Sequence, residues 1–153
     1  MDCQQYNTKR TNITWEKCSL RKWLNGAFVK EAFSKEEREL IPKITVSADK
    51  NPDYNTNAGK DTEDQVFLLS IAEADRYFAS DEERKCRPTT HAIAQGCKPD
   101  MFIGTCWWWL RSPGSISYYA AGVLSRGSVY CDGHSVDRDY NAVRPALWIN
   151  LDS

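Results

Sequence analysis

The sequence lacks long hydrophobic runs and lacks an excess of charge of one sign. No stretch approaches the roughly 18 apolar residues that a membrane-spanning helix requires. The polar start from Met1 to Tyr6 also lacks the charged-then-apolar profile of a secretory signal. Because 20 Lys and Arg oppose 21 Asp and Glu, the net charge is -1 and no overall field favours nucleic acid or anionic lipid. We therefore expect a soluble chain that binds no nucleic acid and does not insert into a membrane.

Metal-binding and catalytic patterns are equally scarce. The six cysteines include no C-x-x-C pair and no cysteine pair matched with a pair of histidines, which argues against a structural zinc site. Only two histidines exist for acid-base chemistry, His91 and His134. We expect free and mostly buried thiols, with Cys131 alone exposed in a polar stretch. The sequence thus predicts no metal, no cofactor and no enzymatic activity.

The residues that are present suffice for one folded domain over 1–153. The chain is 41% hydrophobic and 12% aromatic, enough to build a core. Helical spacing predicts a helix over 14–26 that stops at Asn25-Gly26. Ser34 with Glu37, and Ser70 with Glu73, match the capping box that begins a helix. Strands are predicted over 43–46 and 65–69.

The run from Asp49 to Asp64 is rich in Asn, Asp, Gly, Thr and Lys and predicts a long surface loop. Its alternating Asp and Asn residues resemble the start of a calcium loop. The EF-hand pattern fails, however, because Tyr54 and Lys60 stand where it requires Gly and Glu. A solvated loop is the favoured interpretation.

The last third, 106–153, is β-rich, whereas 1–105 forms a scaffold with helices. We expect an aromatic strand over 106–110, a turn over 111–114 and a final strand over 143–151. Between them, short β segments over 120–124, 128–130 and 135–137 are separated by glycine-containing turns. Three consecutive tryptophans on one strand must alternate sides, so Trp108 should oppose Trp107 and Trp109. Helices first and strands later predict an α+β fold.

The segment Ser115 to Ala142 is sparse in apolar residues, with Val123, Val129 and Val136 as isolated anchors. The neighbours of each valine on a strand point to the opposite face. Tyr, Ser, Gly and Asn with a few Arg and Asp form the composition of a binding surface, because Tyr gives rigid contact area and small polar residues adapt. An ordinary solvated β-meander fits the same composition, and composition alone does not decide between the two.

Two runs frame this segment, Trp107 to Gly114 (WWWLRSPG) and Val143 to Leu151 (VRPALWINL). Together with LRKWLNG, DTED and VFLLS upstream, they resemble a bacterial and phage family of domains with WWLRSPG and GVRPALWINL signatures. The chain departs from that pattern at Trp109, an added third tryptophan, and at Ala142, where Gly usually stands. The resemblance implies a C-type-lectin-like fold, in the branch shared with formylglycine-generating enzymes. Some members are variable proteins of diversity-generating retroelements, whose adenine-directed mutagenesis scatters residues over an exposed binding face.

That implication can be tested against the residue types in the segment. A mutagenised Asn codon can never become Lys, Glu, Gln, Met or Trp. None of these five occurs in Ser115 to Ala142, although the rest of the chain holds ten Lys, nine Glu, four Gln, two Met and six Trp. At the frequency found in the rest of the chain, a segment of this length should hold about seven of them. The residue types present are those that diversified Asn codons can produce.

We therefore predict a ligand-binding domain whose partner is a macromolecule, a cell-surface protein or a glycan; display on a phage particle or bacterial surface is compatible with the resemblance. The predicted contact residues are Ile116, Tyr118, Tyr119, Leu124, Arg126, Tyr130, Cys131, His134, Asp137, Arg138 and Tyr140. Two alternatives are kept. A thiol and copper oxidase would need Cys97 and Cys106 adjacent in a cleft. A static carbohydrate-binding lectin would need exposed tryptophan faces.

Overall fold

The computed structural model describes residues 2–151, so the extreme ends of the predicted 1–153 domain lie outside the described residues. The chain has the α+β composition that the sequence predicts. Its α-helices in that range are α1 Ser19–Trp23, α2 Val29–Ala32, α3 Lys35–Glu39, α4 Ile71–Tyr77, α5 Asp81–Arg84 and α6 Thr90–Ala94. Within 2–151, none of the helices has the length and apolar character needed to cross a bilayer.

The strands concentrate in the C-terminal half. They are β1 Asp2–Cys3, β2 Ile44–Val46, β3 Thr62–Asp64, β4 Val66–Phe67, β5 Trp108–Pro113, β6 Tyr119–Val123, β7 Val129–Ser135, β8 Ala142–Val143 and β9 Ala146–Leu147. Five of them form one sheet in the order β1-β8-β5-β6-β7, and two small sheets pair β2 with β3 and β4 with β9. Strand β7 therefore lies at one edge of the main sheet.

The predicted helix stop at Asn25-Gly26 is wrong. The helical path continues through a π-helical turn, Leu24–Phe28, into α2. The side chain of Asn25 does not end the helix because strand β4 uses it: its amide donates to the Val66 carbonyl at 2.8 Å and its oxygen accepts from the Gln65 and Val66 amides. Asn25 has a residue type that is typical of a helix end, but here its side chain joins the helix to the start of strand β4.

Both capping boxes are confirmed. Ser34 and Glu37 exchange side-chain and backbone hydrogen bonds at the start of α3, and Ser70 and Glu73 do so at the start of α4. Each box satisfies two amides that an α-helix leaves without an internal partner.

Strand β5 is the centre of the fold, and the predicted tryptophan alternation is confirmed. Trp108 and Trp109 are both fully buried but belong to two different core clusters on opposite sides of the sheet. The predicted turn over 111–114 is wrong, because β5 continues to Pro113 with every residue buried. Arg111 is buried in this strand and donates hydrogen bonds to Ser47, Leu68, Asp49 and Glu73. These bonds offset the free-energy cost of removing its charge from water.

Two further strand predictions are corrected. The strand predicted over 128–130 continues to Ser135 as β7, which accommodates Asp132-Gly133 as an irregularity in its pairing with β6 rather than as a turn. Of the strand predicted over 135–137, only Ser135 belongs to β7, and residues 136 and 137 form a turn. The predicted final strand over 143–151 is limited to β8 and β9, and Pro145, which cannot donate a ladder hydrogen bond, lies between them. Ala142 is accommodated without a left-handed backbone, since no non-glycine residue in 2–151 has a positive φ.

The predicted surface loop over Asp49 to Asp64 contains three buried polar residues, Asn51, Thr62 and Asp64. Asp64 is 0% exposed in β3 and accepts hydrogen bonds from Trp15, Arg21 and Thr62 at 2.7 to 3.0 Å. Asn51 is 4% exposed and donates to the carbonyls of Pro113 and Cys131. The segment has few apolar residues, and its composition therefore predicts that it is exposed. These polar side chains are nevertheless buried, because their hydrogen-bonding groups have partners inside the protein.

Candidate functional site

The 115–142 segment covers strands β6 and β7 and the turns around them, at the open edge of the main sheet. Of the predicted contact residues, Ile116 and Arg126 are exposed and His134 is buried. The others are half-buried: Tyr118, Tyr119, Leu124, Tyr130, Cys131, Asp137, Arg138 and Tyr140. Contact of these residues with a ligand stays a prediction.

Four of the predicted residues lie together around Trp107, and we call this set, with Trp107 and Lys98, the Trp107 cluster. The ring of His134 stacks on Trp107 with centroids 4.3 Å apart, and Tyr130 lies 5.0 Å from His134. The guanidinium of Arg138 is 5.5 Å from the Trp107 centroid and 4.9 Å from that of Tyr140, and the Lys98 ammonium is 5.0 Å from Tyr140. The cluster comprises Lys98, Trp107, Tyr130, His134, Arg138 and Tyr140.

A second group lies before β6. Tyr118 and Tyr119 meet edge to face at 5.3 Å, and the Arg10 guanidinium lies 4.9 Å from the Tyr118 centroid. The turn is fixed by hydrogen bonds from the Tyr119 amide to the Ile116 carbonyl and from the Ile13 amide to the Ser117 carbonyl. These backbone bonds hold two aromatic rings and one exposed apolar side chain in a defined arrangement.

The remaining predicted residues lie elsewhere. Leu124 and Arg126 belong to the turn between β6 and β7. Asp137 accepts a hydrogen bond from Ser135. Cys131 was expected to be exposed, but it is half-buried and packs against the core cluster that contains Trp108. Burial, followed by a hydrogen bond with Asp53, raises the pKa of Cys131 to about 11, which disfavours the thiolate.

The expectation that His134 is an exposed contact residue is wrong. Its side chain is 7% exposed, stacked on Trp107 and at the edge of Trp109, and its Nε2 has no hydrogen-bond partner among the described residues. Burial, then the nearby charge of Arg138, lowers the pKa of His134 from 6.5 to about 4. His134 therefore supports the ring of Trp107 from below as a neutral imidazole.

Replacing His134 with Phe should make the stability of the protein less dependent on pH. The unfolded chain binds a proton at His134 below about pH 6.5, while the folded chain does so only near pH 4, so wild-type stability falls as pH falls through this window. The loss attributable to His134 is at most about 3 kcal/mol. Urea unfolding of both proteins from pH 7 to pH 4 measures the difference.

Phe keeps an aromatic ring against Trp107 and removes the unpartnered nitrogen. Replacement of the exposed His91 with Gln is the matched control and should leave the pH dependence in place. If the free energies of unfolding of wild type and His134→Phe changed equally with pH, burial of His134 would not be linked to proton binding.

Three thiols meet in the core beneath α6 and β1. Cys97 is hydrogen-bonded to both Cys106 and Cys3, and these bonds lower the pKa of Cys97 and raise those of its two neighbours. The thiol oxidase alternative predicts Cys97 and Cys106 adjacent in a cleft. They are adjacent, but they are 3% and 0% exposed, enclosed by the core cluster around Trp108. No group of three or more potential ligands in 2–151 has the geometry to hold a metal ion.

A groove of about 490 Å³ lies between strands β2, β4 and β9, a feature that the sequence does not predict. Its lining is mainly apolar, and Tyr77 and Trp148 at its rim are about half exposed. Its carboxylate, Glu73, is bound by Arg111. The groove therefore offers apolar area without an uncommitted acid or base in that lining.

Two members of the Trp107 cluster, Trp107 and Lys98, were not predicted from the sequence to belong to the binding surface. Trp107 was assigned to the frame, although its alternation with the buried Trp108 already placed it on the other face of the strand. Lys98 follows the short helix α6 in an irregular stretch, and no local pattern links it to Tyr140. The fold brings the loop that contains Lys98 close to the stretch that contains Tyr140. An ideal Cβ placed on Gly96 would lie 3.8 Å from the carbonyl oxygen of Asp139.

Fold and geometry together define a mixed α+β domain with an aromatic and cationic surface at the edge of its main sheet. The chain belongs to the family described as a domain of unknown function (DUF6273), which matches residues 2–151. No curated protein and no solved structure matches it significantly. Since the family description states neither fold nor activity, the C-type-lectin-like fold and the diversification stay predictions.

Proposed function

We propose that this chain is a ligand-binding domain with a C-type-lectin-like fold, whose 115–142 segment is diversified by a retroelement to bind a macromolecule on a cell surface. One observation carries the proposal. Scaffold side chains hold the segment through its backbone carbonyls, so the outward side chains of the segment are free to differ.

Among residues 2–151, five scaffold side chains make these contacts, at 2.5 to 3.1 Å. They are Gln5 to the Asp137 carbonyl, Asn51 to Cys131, Arg84 to Gly127, Thr105 to Ser125, and the Cys3 thiol to Asp139. A carbonyl is present whatever the residue type, so these bonds are retained when the side chain changes. This anchoring is what a surface of variable sequence on a constant fold requires.

Most of the buried positions within the segment are small or apolar, and His134 and Asn141 are buried polar side chains beside them. Val123 and Val136 are 0% exposed, Ala120 is 1% exposed, and each is in a core cluster. Two of the three valines that the sequence suggested as anchors, Val123 and Val136, are thus buried, while Val129 is half-buried against the core cluster that contains Trp108. The outward set is rich in Tyr and Arg, which supply contact area and charge-assisted hydrogen bonds.

The DNA around the gene tests the diversification. We expect a reverse-transcriptase gene nearby and a near-copy of the codons for Ser115 to Ala142 that differs from them only at adenines. Sequencing the flanking regions decides the matter. Differences at other bases, or a locus with neither element, would contradict retroelement diversification.

A further inference from the structure

Two cations of the Trp107 cluster converge on one aromatic ring. The Lys98 ammonium and the Arg138 guanidinium both lie about 5 Å from the centroid of Tyr140, so they are at most about 10 Å apart. They come from distant parts of the chain, the loop after α6 and the stretch after β7. An anion that binds beside Tyr140 is therefore attracted by both charges.

Neither cation has a carboxylate within 4.0 Å among the described residues, in contrast to Arg21, Arg84 and Arg111, which are paired. The half-buried Arg38 and Arg144 also lack a carboxylate there, but each donates to a backbone carbonyl, which Arg138 does not. The two acids nearest in sequence, Asp137 and Asp139, form no salt bridge with Arg138 among residues 2–151. Asp137 instead accepts a hydrogen bond from the Ser135 hydroxyl. The guanidinium of Arg138 thus keeps its N–H donors available at a half-buried position, where charge-assisted hydrogen bonds are strong.

The rings of the cluster are poorly placed to stack on sugars. His134 is stacked on Trp107, Arg138 lies over the same ring, and Tyr140 carries both cations. The other rings of the segment are Tyr118, which the Arg10 guanidinium faces, Tyr119 and Tyr130, with Ile116 40% exposed beside the first two. Apolar side chains fit this area better than a hydroxyl-rich surface does.

We propose that Lys98 and Arg138 form a paired cationic site that receives the carboxylates of an acidic protein segment, while the tyrosines contact apolar residues of the same segment. This inference rests on the proposed binding function and specifies the chemistry of the partner. Lys98 lies outside the 115–142 segment, so it supplies a constant charge beside a variable one.

A phage-displayed random peptide library, panned against the whole chain, tests the proposal. The expected peptides are rich in Asp and Glu with apolar neighbours. Their affinity, measured by fluorescence anisotropy, should fall about tenfold in Lys98→Gln and more in Arg138→Gln, with Arg138→Lys in between. It should also fall as NaCl rises from about 0.05 to about 0.5 M.

Lys35→Gln, an exposed lysine on α3, is the matched control and should bind like wild type. Thermal unfolding of every variant checks that the fold is retained. If the selected peptides are neutral, or if their binding requires Tyr118 and Tyr130 but neither cation, the proposed cationic site is wrong and the proposed binding face is unaffected. Peptides insensitive to all face substitutions would contradict the proposed function itself. Binding of an immobilised sialylated glycan in preference to the peptides would also overturn the inference.

Discussion

Arg111→Met should destabilise the protein by about 3 to 5 kcal/mol, the range found when one partner of a buried ion pair is removed. Arg111 is 3% exposed and joins four parts of the chain. It donates to the carbonyls of Ser47 and Leu68 at 3.1 and 2.9 Å, and it pairs with Asp49 and Glu73. Met fills similar volume but leaves two carbonyls and two carboxylates without their donor.

Chemical denaturation at pH 7 measures this loss. Arg76→Met on α4 is the matched control, because Arg76 is exposed and forms no salt bridge among the described residues; it should change stability by less than about 0.5 kcal/mol. Arg111→Lys should lie between wild type and Arg111→Met, since a lysine keeps the charge but not the planar set of donors. Equal stability of Arg111→Met and wild type would show that the arginine does not hold β5 to α4.

The second large effect concerns glycines inside the 115–142 segment. Gly127 and Gly133 have φ values of 91° and 76°, which disfavour any residue with a Cβ. A Cβ at Gly127 would overlap the carbonyl of Asp81, and one at Gly133 would overlap the carbonyl of Ala120. Strain and overlap together should cost about 2 to 4 kcal/mol for Gly127→Ala. The neighbouring Arg126 is exposed, so Arg126→Ala should be nearly neutral.

The sequence predicted the elements whose signals are local. Both capping boxes and the alternation of the tryptophans depend on spacing alone. The failures occur where a distant group sets the outcome. Asn25 continues a helix because strand β4 occupies its amide, and Asp64 is buried because Trp15 and Arg21 bind it.

The candidate site shows the same division. The residue types of the segment indicate a binding surface, yet they do not tell which side chains meet. His134 looks like any polar residue of a surface strand, and only the fold places it beneath Trp107. Lys98 joins the surface through contact between two loops, which has no counterpart in local sequence.

The central claim is that the outward side chains of the segment can vary on a constant fold and so create binding specificity. A displayed library tests it most directly, randomised with the residue types of mutagenised Asn codons at Ile116, Tyr118, Tyr119, Leu124, Arg126, Tyr130, Arg138 and Tyr140. A second library applies the same residue types to the glycines and valines of the segment. Protease resistance measures folding, and selection on purified proteins measures binding. We expect most clones of the first library to fold and some to bind, while most clones of the second unfold. Equal loss of folding in the two libraries, or a folded first library without binders, would contradict the account.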